Sequence, residues 1–385
     1  MNTPWDIVCF AGVDWDSHRQ RPQWLMQGFA DRGASVLYVD NLGTRLPRIS
    51  DARRVAHRVS RWARSSWTPT TERPGGAGRI LRDAPVVLPL QHLALVRAFG
   101  RWTLLHRLRR RVGGGRPLVV WTYLPMPVIR DAAAGLGADL LVYDWSDDAS
   151  AHVLTASPAV RRRIAGWETA MAKAADLVFV ASAELLRRRG GGNPETHLIP
   201  HGAPDSPRST TRVPHAVDRL PHPRIGFVGS ITEWTDVGLV EELAASRPDW
   251  SFVLVGPVRI RVNGLRARDN VLLTGERPHE EIPALLRAFD AGIIPYRVTP
   301  ATTAASPVKL REYLAHGLPV VSVDVPEVRP FAPPVRLATG ADAFAEALAE
   351  ALAEGRRPPG RGAPTWDERV DEMAAHVARA LERAR

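Results

Sequence analysis

The sequence predicts an α/β protein built from two doubly wound domains, each with a parallel sheet. Strand-length apolar runs alternate with segments of helical spacing, and the pattern stops and restarts around residues 205–223, which are rich in Pro, Ser, Thr, Arg and His and show no apolar period. A length of 385 residues exceeds one ordinary core and suits two. A composition 45% hydrophobic and 24% charged excludes a disordered or fibrous chain. No short-period repeat is present, which excludes a solenoid.

Residues 6–12 (DIVCFAG) are an apolar run closed by Gly, as a buried parallel strand requires. Residues 23–32 have helical spacing and precede Gly33, which suits the residue after a helix end. Residues 35–39 (SVLYV) give the next strand, so the opening is a right-handed βαβ unit. Further strands are expected at 118–122, 140–144, 177–181 and 197–200, with helices between them, one at 159–175. Beyond the linker, strands are expected at 224–228, 251–255, 271–274, 291–295 and 319–323. Helices are expected at about 236–246, 280–289 and 308–316, then an Ala-rich one at 342–354. The domains are therefore set at 1–204 and 224–365, with 205–223 as linker and 366–385 as a C-terminal helix returning to the first domain. Ligands of such sheets bind outside the carboxyl ends of the strands, in a cleft where two such domains face each other.

Cys9 is the sole cysteine, so neither an internal disulfide nor a Cys-based zinc cluster can form, which fits a reducing compartment. No secretory leader is evident and no apolar run reaches the ~18–20 residues of a spanning helix. The expected location is cytoplasmic. A net charge of +10 points to an anionic partner. The cations are 49 arginines and two lysines, Lys173 and Lys309. From Arg45 to Arg116, 17 arginines meet only Asp51, Glu72 and Asp83, so the basic character is local. Within this tract, Leu90, Leu93, Val96, Phe99, Leu104, Leu105 and Leu108 are expected to share one helical face, with Arg97, Arg101 and the Arg107–Arg111 stretch beside it and Trp102 at its edge. That pattern fits either an interfacial helix on an anionic membrane or a surface helix packed on its own sheet. No base-stacking aromatics, helix-turn-helix, RNP or zinc motif accompanies it, so nucleic acid is not expected.

The sharpest signal is residues 306–321, SPVKLREYLAHGLPVV. A loop enters a helix, Gly317 closes it, and a buried strand follows Pro319. Free amides near Pro307, Val308 and Lys309 at the helix start favour an anion such as a diphosphate. Glu312, one turn in, can accept both hydroxyls of a ribose. Lys309 stands in the first turn, where a cation opposes the helix dipole, in a chain that otherwise prefers Arg.

This stretch resembles the donor-nucleotide motif of GT-B glycosyltransferases, in particular retaining family 4. The resemblance implies two Rossmann-like domains, Glu312 on the donor ribose and the amides near Pro307, Val308 and Lys309 on the phosphates. Residues 224–236 (RIGFVGSITEWTD) resemble the first strand and phosphate loop of that family's C-terminal domain, with Gly229 and Ser230 in the turn. The basic pair common there is missing from residues 229–236, which leaves Lys309 or Arg277 to replace it. Residues 270–284 resemble the segment in which Gly275 reads the nucleobase, and residues 290–296, ending in Tyr296, precede the loop around the donor sugar. Many members carry a second Glu eight residues before the first; here that position is Ala304, so the sugar contact stays unassigned.

On the acceptor side, Asp16, His18 and Arg21 follow the first strand where relatives often have a glycine pair. Asp144, Asp147 and Asp148 lie around a strand end, where three carboxylates suit a metal site or helix caps; Asp147, Asp148 and His152 are the expected acceptor-side catalytic groups. The family implies no protein-bound metal or other cofactor. The expected activity is transfer of a sugar from a nucleotide diphosphate sugar to a hydroxyl acceptor, with retention, in bacterial glycan assembly at or near the cytoplasmic membrane face. The alternatives are a sugar-nucleotide epimerase of the same fold and a basic nucleic-acid-binding protein.

Overall fold

The computed structural model describes residues 3–42, 78–85, 87–88, 90–152, 157–204, 211–358 and 364–384. The chain divides into two compact units, Met1–Pro200 with Asp367–Arg385, and His201–Trp366.

The first unit holds a parallel sheet of β1 (Asp6–Phe10), β2 (Ser35–Val39), β3 (Arg79–Asp83), β4 (Leu118–Thr122), β5 (Leu140–Trp145), β6 (Leu177–Val180) and β7 (Thr196–Leu198). The strand order is β3-β2-β1-β4-β5-β6-β7. Asp6 pairs with Ser35 on one side and Leu118 on the other, so the chain reverses its winding direction at β1. Central strands such as β1 and β4 are buried along their whole length, which explains their unbroken apolar runs. The helices are α1 (Arg21–Asp31), α2 (Ala94–Leu108), α3 (Pro127–Leu136), α4 (Ala149–His152), α5 (Pro158–Ala174) and α6 (Ala183–Arg189). Phe29 of α1, Trp121 of β4 and Phe179 of β6 pack in series, with ring centroids 5.3 and 5.4 Å apart.

The second unit repeats the plan with β8 (Arg224–Val228), β9 (Ser251–Val255), β10 (Val271–Gly275), β11 (Ala291–Ile294), β12 (Val320–Ser322) and β13 (Arg336–Leu337), in the order β10-β9-β8-β11-β12-β13. Its helices are α7 (His215–Asp218), α8 (Val237–Ser246), α9 (Asn263–Arg266), α10 (Ile282–Ala288), α11 (Pro300–Ala304), α12 (Val308–Ala315) and α13 (Ala341–Glu354). The winding reverses between β8 and β11, the place where such sheets open a crevice at their carboxyl ends. The last helix, α14 (Trp366–Ala384), belongs from Asp367 onward to the first unit. Arg32 holds Asp371 at 2.9 Å and Asp367 at 3.0 Å, and Gly28 lies so close to Val370 that a Cβ there would come within 2.6 Å of it.

The structure departs from the sequence reading or adds to it in three places. The segment 205–223 is not linker throughout: Val217 on α7 is fully buried in the second core, and the Arg224 guanidinium binds the carbonyls of Asp218 and Leu220. β3 and β13 lie at sheet edges, where one row of neighbours suffices and the sequence needs no long apolar run. In α2, Gly100, Leu104, Leu105 and Leu108 face the core, whereas Leu93, Phe99 and Trp102 are exposed, so the apolar residues do not form one face. Of the Arg-rich tract, residues 45–77 lie outside the described residues.

Candidate active site

The second unit gathers its sequence-predicted residues at the β8–β11 switch point. β8 runs into Gly229 at φ +146°, a conformation that side-chain-bearing residues rarely adopt. The next loop presses on this turn: a Cβ on Gly256 would lie 2.2 Å from the Gly229 carbonyl oxygen. Helix α12 is pinned above it, because the Val228 amide donates to the fully buried Tyr313 hydroxyl at 2.8 Å. Pro307 is the N-cap of α12 and no side chain caps its first turn, so the amides of Val308 and Lys309 have no intrahelical acceptor.

Lys309 extends back over the turn. Its Nζ lies 5.1 Å from the Phe227 ring centroid and 4.7 Å from that of Tyr296, and it donates to the Tyr296 hydroxyl. A Cβ on Gly229 would lie 3.0 Å from Lys309 Cε, so the ammonium stands directly beside the turn. One helical turn further, the half-buried Glu312 carboxyl is pushed above its ordinary pKa by burial, with the Lys309 charge opposing. Among the described residues no hydrogen bond holds that carboxylate. The helix amides and the ammonium suit an anion, and the free carboxylate suits a pair of hydroxyls.

Other expected donor residues spread along the strand ends. Ser230 follows Gly229, and Gly275 closes β10, accepting the Gly256 amide at 2.9 Å. Of the two replacement cations considered, Lys309 stands beside Gly229, whereas Arg277 lies 3.9 Å from Glu281. Ala304, in place of a second Glu, is buried at the end of α11 and offers no polar group. The roles of Phe227 and Tyr313 are hidden in the sequence because aromatics inside apolar runs read as core.

The first unit treats its expected residues differently. Arg21 is 2% exposed, its Nε placed 3.0 Å from both Asp144 oxygens and its Nη1 donating to the Ile199 carbonyl at 2.9 Å. It is a buried structural cation, not a free acceptor contact. Asp16 is exposed and paired with Arg82, and the exposed His18 Nε2 lies 2.8 Å from Gln20 Nε2. The carboxylates in and after β5 diverge. Asp144 meets Arg21, exposed Asp147 accepts from Ser146 at 3.3 Å, and Asp148 accepts from the Ser150 hydroxyl and the Ala151 amide, capping α4. His152 ends α4; its side chain lies outside the described residues. Among the described residues, no cluster of three or more His, Cys, Asp or Glu is placed to hold a metal ion.

Beneath Asp148, buried Glu168 accepts from the Ala149 amide at 2.8 Å, and burial first, then the Asp148 charge, raises its pKa from 4.5 to about 7. A raised carboxyl keeps its proton in the folded state between these values while the unfolded chain sheds it. This group's contribution is therefore greatest below pH 4.5 and is lost as pH rises to about 7. We predict that Glu168→Gln stabilises the first unit at pH 8 by on the order of 2–3 kcal/mol and much less at pH 5. Urea midpoints at the two pH values test this; an equal shift at both would refute it.

Two doubly wound parallel-sheet units in one chain make the GT-B fold. Residues 222–354 match the family described as "Glycosyl transferases group 1", which bears out, for that stretch, the glycosyltransferase part of the resemblance read in the sequence. The chain is 28% identical over 256 residues to the putative teichuronic acid biosynthesis glycosyltransferase TuaH of Bacillus subtilis (strain 168), covering 59% of this chain and 63% of that relative, less than two thirds of its length. Among solved structures, sucrose-phosphate synthase from Thermosynechococcus elongatus superposes with a TM-score of 0.66 at 19% identity, over 98% of this chain and 97% of that one. Anabaena Alr3699/HepE, in complex with UDP and glucose, gives 0.58 at 15% identity, over 99% and 98%. No helix among the described residues is long and apolar enough to cross a membrane.

Proposed function

We propose that this protein transfers a sugar from a nucleoside diphosphate sugar to a hydroxyl acceptor, with retention of anomeric configuration. The observation that carries the reading is the single helix α12, whose uncapped first turn and Lys309 ammonium overlie the Gly229 turn while the unbonded Glu312 carboxylate stands one turn on. Glu312 holds the ribose hydroxyls. The amides of Val308 and Lys309, the Gly229–Ser230 turn and the Lys309 charge hold the diphosphate and take up the negative charge that develops as it leaves. Gly275 and Arg277 line the base end, and Tyr296 stands on the sugar side. No metal is required where Lys309 supplies the countercharge. A side-chain nucleophile is not part of this scheme; the acceptor oxygen bonds to the anomeric carbon on the face where the bond to the diphosphate breaks, and its proton passes to the departing diphosphate oxygen. The TuaH likeness supports bacterial glycan assembly, and the net charge supports reversible association with the cytoplasmic membrane face.

A calorimetric panel of UDP-, GDP-, TDP- and ADP-sugars tests the reading; no binding by any would overturn it. The Lys309 role is tested separately. Lys309→Met should weaken nucleoside diphosphate binding about 10- to 100-fold, given the loss of a charge-assisted contact, and leave nucleoside binding nearly unchanged. Equal losses would show that the residue only supports the helix.

A further inference from the structure

We propose that the outward face of α2 docks the protein on an anionic lipid bilayer. The inference rests on the peripheral placement proposed above and names the surface responsible. Helix α2 has two apolar faces, and the fold uses one. Gly100, Leu104 and Leu108 are buried, whereas Leu95, Phe99 and Trp102 are 86%, 53% and 62% exposed. Their i, i+4, i+7 spacing is one stripe, and His106 extends it at i+11. Phe99 and Trp102 lie side by side at 6.1 Å, and Trp102 stacks on His106 at 5.7 Å. The approach to the helix adds Leu88, Leu90 and Leu93, 48%, 37% and 46% exposed. Six of the eight large exposed hydrophobic side chains among the described residues thus fall between 88 and 102. Concentration of this kind marks an interaction surface, since scattered apolar residues would need no explanation.

Charge identifies the occupant. From residue 84 to residue 130 the chain has eight arginines and no Asp or Glu. Several are spent inside the unit: Arg107 on Asp83, Arg97 on Asp131, Arg109 on the Gly135 carbonyl. Arg101 and Arg110 are exposed, and no partner holds either among the described residues. A second copy of this face would set arginines against arginines. An anionic bilayer accepts both features at once, with Leu95 and Phe99 among the acyl chains, Trp102 at headgroup depth and the guanidinium groups on lipid phosphates.

Sedimentation of the full chain with vesicles of phosphatidylcholine, alone or mixed with phosphatidylglycerol, at low and high salt, tests this. Wild type should bind the mixed vesicles at low salt. Leu95→Glu/Trp102→Glu should bind at least roughly tenfold less, since buried apolar area and its placement at the interface are both lost. Arg101→Glu/Arg110→Glu should lose the salt-sensitive part of binding. All four side chains are exposed, so thermal midpoints should not move. Undiminished binding of the Leu95/Trp102 variant would overturn the assignment of the surface and leave the peripheral reading standing. Absence of wild-type binding to either vesicle would overturn both. A concentration-dependent dimer abolished by Trp102→Glu would overturn the proposal in favour of self-association.

Discussion

Arg21→Ala should lower the stability of the first unit by about 3–5 kcal/mol, the cost of leaving one member of a buried ion pair without its partner. The Asp144 carboxylate is fully buried and lies 3.0 Å from the Arg21 Nε and 3.4 Å from the Trp121 indole nitrogen. Without the guanidinium, the Asp144 charge and the Ile199 carbonyl lose their strongest donor. Replacing both charges by apolar residues of similar size, as in Arg21→Met/Asp144→Leu, should recover most of the loss. Differential scanning calorimetry resolves the outcome. A single variant that keeps its unfolding midpoint yet loses turnover would show that Arg21 acts on an acceptor after all.

Glu312→Ala should weaken binding of a nucleoside diphosphate sugar by about 10- to 150-fold, or 1.5–3 kcal/mol, as expected for hydrogen bonds to a charged acceptor. Burial raises this carboxyl's pKa, so the sign of its pH dependence is set. As pH falls through the raised value the group takes up a proton and loses acceptor capacity. Wild-type affinity should therefore fall on acidification, whereas Glu312→Gln should bind weakly at every pH and show a flat profile. Isothermal titration across neutral and mildly acidic pH provides the comparison. Wild-type affinity that is independent of pH, or an unchanged affinity in folded Glu312→Ala, would remove Glu312 from the ribose.

Sequence periodicity resolved buried elements and failed at edges and faces. β1, β4, β8 and β9 are apolar on both sides, so an unbroken run identified each. β3 reads RILRD and buries only Ile80 and Asp83, so its sequence carries no unbroken apolar run. In α2 the period revealed a helix but not which apolar residues look inward: Phe99 was grouped with Leu104 although the two project in opposite directions. The donor side was legible because residues 306–321 pack the loop, Lys309, Glu312 and Gly317 into one local signal. Arg21 is illegible in the sequence for the converse reason. Its partners, Asp144 and Ile199, lie 123 and 178 residues away, and a buried arginine looks like a surface one until they are placed.

The two segments of the first unit also carry a consequence for synthesis. Residues 3–200 emerge from the ribosome before the whole of the second unit, and α14 only after it. Until then Arg32 has neither Asp367 nor Asp371, Gly28 faces no Val370, and the Arg21 site lacks Met373. The second unit, continuous from His201 to Trp366, has everything it needs earlier. Vectorial folding usually completes domains from the amino end. In this chain the order of completion is inverted, and the first unit to appear is the last to close.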